Sequence, residues 1–144
     1  VGIAGLAALA LHAVSDSQPE PGPLSPVVCF ADTRRHSVFV QEFDSQARAK
    51  SSVSDIPLDQ LSGWLDKIYE RNEKTPVYLS GLTDQISDHV RRHKGLICLK
   101  QPVNAAMIAR YAVLSLGAPA DYPHTGFSPL YVVAPKLGPA KQNA

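Results

Sequence analysis

The stretch Val27–Phe43, VVCFADTRRHSVFVQEF, contains two runs of β-branched and aromatic residues on either side of a short polar segment. The first run is VVCF, and the second is VFV with a further phenylalanine three residues later. Two such runs around a polar turn are typical of a β-hairpin. The turn itself reads DTRRH at Asp32–His36. We therefore expect two antiparallel strands joined by a turn that carries charged side chains.

The segments before the hairpin predict a helix and a loop. The run LAALALHAV at Leu6–Val14 is rich in Ala and Leu, which are strong helix formers, and Val1–Ala4 resembles the end of a strand. The stretch Ser15–Pro26 contains four prolines and a glycine, which predicts a loop.

The clearest amphipathic segment is Pro57–Tyr69. Its apolar residues recur at i, i+3, i+7 and i+10, which places them on one face of a helix, bordered by Trp64. These residues are Leu58, Leu61, Leu65 and Ile68. Pro57 suits a first-turn position. The polar stretch between the hairpin and this helix, Ser45–Ile56, has room for a third strand.

The second half of the chain alternates short strands with helices. The apolar runs Pro76–Ser80 and Gly95–Leu99 predict strands. A helix capped by Thr83 or Asp84 is expected to reach about Arg92. The remaining expectations are a helix capped by Asn104, with Met107, Ile108, Tyr111 and Leu114 on one face, and an edge strand at Pro129–Ala134. This order predicts an α/β fold with a mixed sheet and flanking helices.

The composition narrows the class of protein. A chain of 144 residues is expected to form a single domain, residues 1–144. Its formal net charge of +1 gives no broad electrostatic footprint for nucleic acid and no polybasic signal for a membrane surface. No apolar run approaches the ~20 residues of a spanning helix. Cys29 and Cys98 lie in apolar runs, which predicts two buried, reduced thiols and fits a cytoplasmic protein.

Two groups of residues contain side chains of the types used in enzymatic chemistry. Asp32, His36 and Ser37 fall together in the turn and contain the residue types of a nucleophile and its base, although no nucleophile-elbow motif accompanies them. His89 and His93 have the i, i+4 spacing of paired zinc ligands, but arginines lie between them and no third ligand is indicated. A structural interpretation is favoured for both groups, so we expect no catalytic residue and no metal.

Phosphate-binding glycine loops are absent from the sequence. Gly81, which follows a predicted strand and precedes a helix, is explained by an ordinary strand–helix turn. Arg34 and Arg35, at the tip of the hairpin, have the chemistry to contact RNA phosphate or a protein carboxylate. With Asp32 they are the candidate binding residues of the chain.

Several short segments, in order along the chain, resemble one family. Gly2–Ala10 resembles a strand end that leads into a helix (GVSTLEALA), and Ala31–Arg35 resembles a DARR turn followed by a Val-Tyr-Val-like strand. Ser128–Val132 resembles a terminus that reads PLYLR. In this order, the motifs resemble the bacterial TsaB (YeaZ) proteins, the glycoprotease-like but non-catalytic partners of TsaD in threonylcarbamoyladenosine synthesis on tRNA.

The resemblance implies one lobe of the actin-like ATPase fold, which is ribonuclease H-like and shared with sugar kinases and actin. It implies a cytoplasmic interaction subunit with no cofactor, whose partner is a TsaD-like protein. It also implies that this chain is the C-terminal lobe and that the family's GPGSFTGLR segment belongs to an absent N-terminal lobe. By family analogy that lobe supplies most contacts for homodimerisation and for TsaD.

The sequence departs from the family pattern at three places. Ala7 replaces a glutamate, His36 and Ser37 replace Gly-Glu after the arginine pair, and Val133 replaces an arginine. Two alternatives therefore stay open. One is a glycoprotease-like hydrolase or peptidase that uses the turn residues or the histidine pair, and the other is a small α/β binding module with an unknown partner.

Overall fold

The computed structural model describes residues 3–16, 20–90, 95–99 and 104–116. A long helix, α1 (Ile3–Asp16), comes first and is followed by the predicted hairpin, β1 (Val27–Asp32) and β2 (Ser37–Phe43). The remaining elements are β3 (Ser54–Pro57), α2 (Leu61–Arg71), β4 (Val77–Ser80), α3 (Asp84–Ser87), β5 (Leu96–Leu99) and α4 (Ala105–Leu116). The expectation of an α/β fold with a mixed sheet and flanking helices is confirmed.

The five strands form one sheet in the order β3-β2-β1-β4-β5. The hairpin and β3 pair antiparallel, with Val27 opposite Phe43 and Asp32 opposite Val38. β4 and β5 run parallel to β1. The carboxyl ends of β1, β4 and β5 therefore lie at the same edge of the sheet as the hairpin turn.

Helices cover both faces of the sheet, because alternate residues of each strand point to opposite sides. On one face α2 and α3 pack against β1, β2 and β4. The buried side chains of that face include Val28, Phe30, Val38, Val40, Leu61, Leu65, Ile68, Leu79 and Ile86. On the other face α1 and α4 pack together over Val27, Cys29, Phe43 and Tyr78. Burying both faces explains why β1, β4 and β5 are largely apolar.

Five sequence predictions need correction, and the first three concern the two ends of α1 and the segment before α2. Ile3 and Ala4 belong to α1 and not to a strand. Ser15 and Asp16, placed in the loop, form the last turn of α1. Pro57 ends β3 opposite Ser37 instead of starting a helix, and a 3₁₀ turn at Leu58–Gln60 comes before α2.

The other two corrections concern the later helices. The regular part of α3 ends at Ser87, well before Arg92, although Thr83 caps it as expected. On α4 only Met107 and Tyr111 of the predicted face pack against the core; Ile108 and Leu114 are exposed by 39% and 63%. α4 contacts α1 along only one side. This contact is too narrow to bury all four residues of the predicted face.

The third strand, the strand at 95–99 and the Asn104 cap are confirmed, with the Met107 N–H donating to Asn104 Oδ1 at 3.0 Å. The predicted edge strand at 129–134 lies outside the described residues. Among the described residues, no helix combines the length and the apolar character needed to cross a membrane.

Candidate functional site

The candidate site is the turn that joins β1 and β2, and its backbone is held by its own side chains. Asp32, the last residue of β1, accepts the Arg34 N–H on Oδ1 at 2.8 Å. The Thr33 N–H donates to the Ser37 carbonyl at 3.3 Å, which closes the turn across its base. Asp and Thr stabilise turns in this way because their short side chains reach backbone donors two residues ahead.

The hydroxyl of Thr33 is fully used inside the turn. Its Oγ1 donates to the Ser37 carbonyl at 2.9 Å and accepts the Arg35 N–H at 3.2 Å. The Ser37 hydroxyl lies 2.8 Å from the same oxygen. Since the one proton of Thr33 is directed to the carbonyl, Ser37 Oγ is the donor of this hydroxyl pair. The base of the turn is therefore a small hydrogen-bond network.

Arg34, Arg35 and His36 project from this network into solvent and are exposed. The backbone at Arg34 and His36 is left-handed, with φ of 57° and 58°. The His36 carbonyl accepts the Leu58 N–H at 3.0 Å, so the turn is also anchored to the segment that leads into α2. The structure thus gathers Asp32, Arg34 and Arg35 in one ordered turn, with the carboxylate inside and the guanidiniums outside.

The alternative nucleophile arrangement does not assemble in this turn. The Ser37 hydroxyl is engaged with Thr33, and the Asp32 carboxylate accepts a backbone N–H. Within the described part of the chain, no hydrogen bond joins the His36 ring to Ser37 or Asp32. Proximity in sequence has produced a turn network here and not a hydroxyl paired with a base.

The histidine pair is described only at its first member. His89 Nδ1 lies 2.9 Å from the Gln85 carbonyl, a contact in which the ring N–H donates. His93 lies outside the described residues. Across residues 3–16, 20–90, 95–99 and 104–116, no group of three or more His, Cys, Asp or Glu side chains is placed to hold a metal ion.

The two cysteines lie in different surroundings. Cys29 on β1 is fully buried, as predicted, and burial raises the pKa of its thiol far above the ordinary value. Cys98 on β5 is only partly buried, because β5 lies at the edge of the sheet. A buried thiol with a raised pKa is a poor nucleophile, so Cys29 is a core residue.

Gly81 also has a structural role. Its φ is +82°, and a Cβ at this position would lie 2.5 Å from the Phe30 carbonyl oxygen. The N-terminus of α3 is capped by Thr83, whose Oγ1 accepts the Ile86 N–H at 3.3 Å. The strand–helix turn expected from the sequence is confirmed.

Sequence reasoning missed an ionic cluster at the opposite end of the hairpin. Glu42 on β2 is 3% exposed, and its carboxylate binds the Arg71 guanidinium at the end of α2. Lys50 Nζ lies 3.1 Å from the other carboxylate oxygen, without a hydrogen bond to it. The available signal was a glutamate at an inward-facing position of an alternating strand, which requires a buried partner.

A surface pocket of about 290 Å³ lies beside this cluster. Lys50 and Arg71 line it together with Asp44, Glu73 and the loop residues Pro23–Pro26. Its charges balance, because Lys50, Arg71 and Arg48 are matched in number by Glu42, Asp44 and Glu73. The cluster fastens β2 to α2 and leaves no surplus charge for a ligand.

Comparison with known proteins returned no matching family model, no matching curated protein and no matching solved structure.

Proposed function

We propose that this chain is a non-catalytic interaction subunit that resembles TsaB and supports a TsaD-like enzyme in the threonylcarbamoyladenosine modification of tRNA. The observation that carries the proposal is the ordered hairpin turn. Its Asp-Thr-Arg-Arg sequence resembles the family's DARR motif, and it presents Arg34 and Arg35 to solvent while Asp32 holds the backbone. Such a role belongs in the cytoplasm, where tRNA is modified.

The sheet supports the proposal at the level of architecture. A five-stranded mixed sheet with helices on both faces is compatible with one lobe of an actin-like, ribonuclease H-like fold. In this arrangement the hairpin turn lies at the sheet edge where β1, β4 and β5 end. Ligands of open α/β sheets bind at that edge, so it is a suitable place for a contact surface.

The chemistry of the turn supports binding over catalysis. Its hydroxyl groups are consumed by hydrogen bonds within the turn, and the groups left exposed are two guanidiniums and an imidazole. Guanidiniums stay protonated and serve recognition of carboxylate or phosphate. The turn therefore offers charge for docking and no activated nucleophile.

Association with the enzyme tests the proposal. The full chain and a TsaD-like protein are co-expressed, one of them tagged, and purified through the tag and by size exclusion. We expect a stable complex that supports modification of unmodified tRNA. Failure of the two proteins to co-purify, together with modification that is independent of the chain, would overturn the proposal.

The same preparation tests the enzyme alternative. Zinc content is measured for the wild-type chain and for His89→Ala, with hydrolysis of a generic ester assayed alongside. The proposal predicts no stoichiometric zinc and no hydrolysis. Stoichiometric zinc that is lost in His89→Ala would favour the hydrolase.

A further inference from the structure

The exposed side chains of the hairpin turn form a compact basic surface of two guanidiniums and one imidazole. We call Arg34, Arg35 and His36 the basic tip. The three residues are consecutive in the chain, and all three are exposed. The one carboxylate within the turn, Asp32, is half-buried and accepts a backbone N–H, so it lies beneath the tip.

The tip is held in shape before any partner binds. Hydrogen bonds from Asp32, Thr33 and Ser37 fix the turn, and the His36–Leu58 bond ties it to the segment before α2. A surface that is already ordered loses less conformational entropy on binding than a flexible loop. The backbone donors of Arg34 and Arg35 are consumed within the turn. Recognition therefore falls to the side chains.

The surroundings of the tip favour protein carboxylates over nucleic acid. Asp55 on β3, the strand next to β2, and Asp59 after that strand are both exposed. Between them, the Leu58 N–H donates to the His36 carbonyl. These carboxylates confine the basic surface to the three residues of the tip, which is small for a nucleic-acid site that neutralises many phosphates. The tip also has no Phe, Tyr or Trp side chain for base stacking, and the chain's net charge is only +1.

We propose that the basic tip docks an acidic segment of a protein partner, with the Arg34 and Arg35 guanidiniums bound to Asp or Glu side chains. Guanidinium and carboxylate form paired, charge-assisted hydrogen bonds whose geometry lysine does not reproduce. This inference deepens the proposed function and rests on it for the partner's identity, which would be the TsaD-like enzyme.

The test uses variants that remove charge without changing the shape of the turn. Arg34→Asn and His36→Asn keep a residue type that tolerates a left-handed backbone, and Arg35→Gln keeps a long polar side chain. The three changes are combined. The matched control combines Arg48→Gln and Lys67→Gln, which remove exposed positive charges away from the tip.

The probe is a fluorescein-labelled octaglutamate peptide, titrated by fluorescence anisotropy at about 20 mM salt, where screening is weak. An octaglutamine peptide and bulk tRNA serve as comparison ligands. We expect the wild-type chain and the control to bind octaglutamate equally and octaglutamine not at all. The tip variant is expected to bind octaglutamate at least about tenfold more weakly, a loss of one order of magnitude in affinity. Equal octaglutamate binding by wild type and tip variant would overturn the inference, as would tip-dependent binding of tRNA without binding of octaglutamate.

The same variants in the association assay separate this inference from the proposed function. If octaglutamate binding depends on the tip but the TsaD-like protein does not associate, the acidic docking site stands and the proposed partner fails. If the complex forms equally with the tip variant and octaglutamate binding is unchanged, the proposed function stands and the docking inference fails.

Discussion

The hydroxyl oxygens of Thr33 and Ser37 lie 2.8 Å apart across the base of the hairpin turn. This pair closes the network that holds Arg34 and Arg35 at the surface. The same hydroxyls would be the obvious nucleophiles if the turn were an active site. Their engagement with each other is therefore the strongest reason to interpret the turn as a binding surface.

Removing the Thr33 hydroxyl tests this network. Thr33→Val keeps the shape of the side chain but loses the bonds to Ser37 and to the Arg35 N–H. We expect it to lower the free energy of unfolding by about 1 kcal/mol, the net value of a typical hydrogen bond. Urea unfolding measures the change. Arg35→Ala, which removes only an exposed side chain, should stay within about 0.5 kcal/mol of wild type. Equal stability of all three proteins would mean that the network is unimportant.

The buried carboxylate of Glu42 gives a second prediction. Arg71→Ala leaves this carboxylate with Lys50 as its charged partner, so we expect a loss of about 1–3 kcal/mol in the free energy of unfolding. Arg48→Ala breaks a pair in which the arginine is 73% exposed, and should cost less than about 1 kcal/mol. Chemical denaturation of the two variants side by side checks the ranking. A larger loss for Arg48→Ala would contradict the assigned role of Glu42.

Replacement by alanine is expected to change the free energy of unfolding in opposite directions at Gly81 and Gly63. Gly81→Ala places a Cβ 2.5 Å from a backbone oxygen at a φ of +82°, so we expect a loss of at least about 2 kcal/mol. Gly63 lies inside α2, and a Cβ at this position would have no neighbouring atom within 4 Å, so Gly63→Ala should gain up to about 1 kcal/mol from helix propensity. Thermal unfolding compares the two variants. A stabilising Gly81→Ala would show that the turn after β4 differs from the one described.

The interactions of Asp44 are expected to account for part of the loss of folding stability at acidic pH. Burial acts to raise the pKa of its carboxyl, but hydrogen bonds from the Arg48 and Gln46 N–H groups and the Arg48 guanidinium outweigh it and lower the pKa. A lowered folded-state pKa stabilises the fold above the unfolded value, near pH 4, and this contribution is lost as the pH falls through the folded value. Asp44→Asn should therefore lose less stability than wild type between about pH 5 and pH 3. Identical slopes in pH-dependent urea unfolding would contradict this.

The sequence was sufficient to predict those helices and strands whose hydrophobic patterns are local. The alternation through Val38 and Val40 predicted the hairpin, and the spacing from Leu58 to Ile68 predicted the buried face of α2. Asp32, Arg34 and Arg35 were expected in one turn because a hairpin brings its turn residues together. The exposure of the two arginines followed from the same pattern.

Other features depend on partners distant in sequence. The burial of Glu42 is made possible by Arg71, which is 29 residues away, and no local pattern announces that pair. β3 is mostly exposed and has no apolar alternation, so only its pairing with β2 defines it and retains Pro57 in the strand. The hydroxyl pair of Thr33 and Ser37 was likewise invisible, since a turn motif does not specify how its side chains are bonded.

The most direct test of the account is a reconstituted tRNA modification assay with a TsaD-like enzyme, its other required components and unmodified tRNA, run with and without this chain. The readout is threonylcarbamoyladenosine in nucleosides from the digested tRNA. The account predicts that modification requires the chain. Modification that is equal without the chain would contradict it.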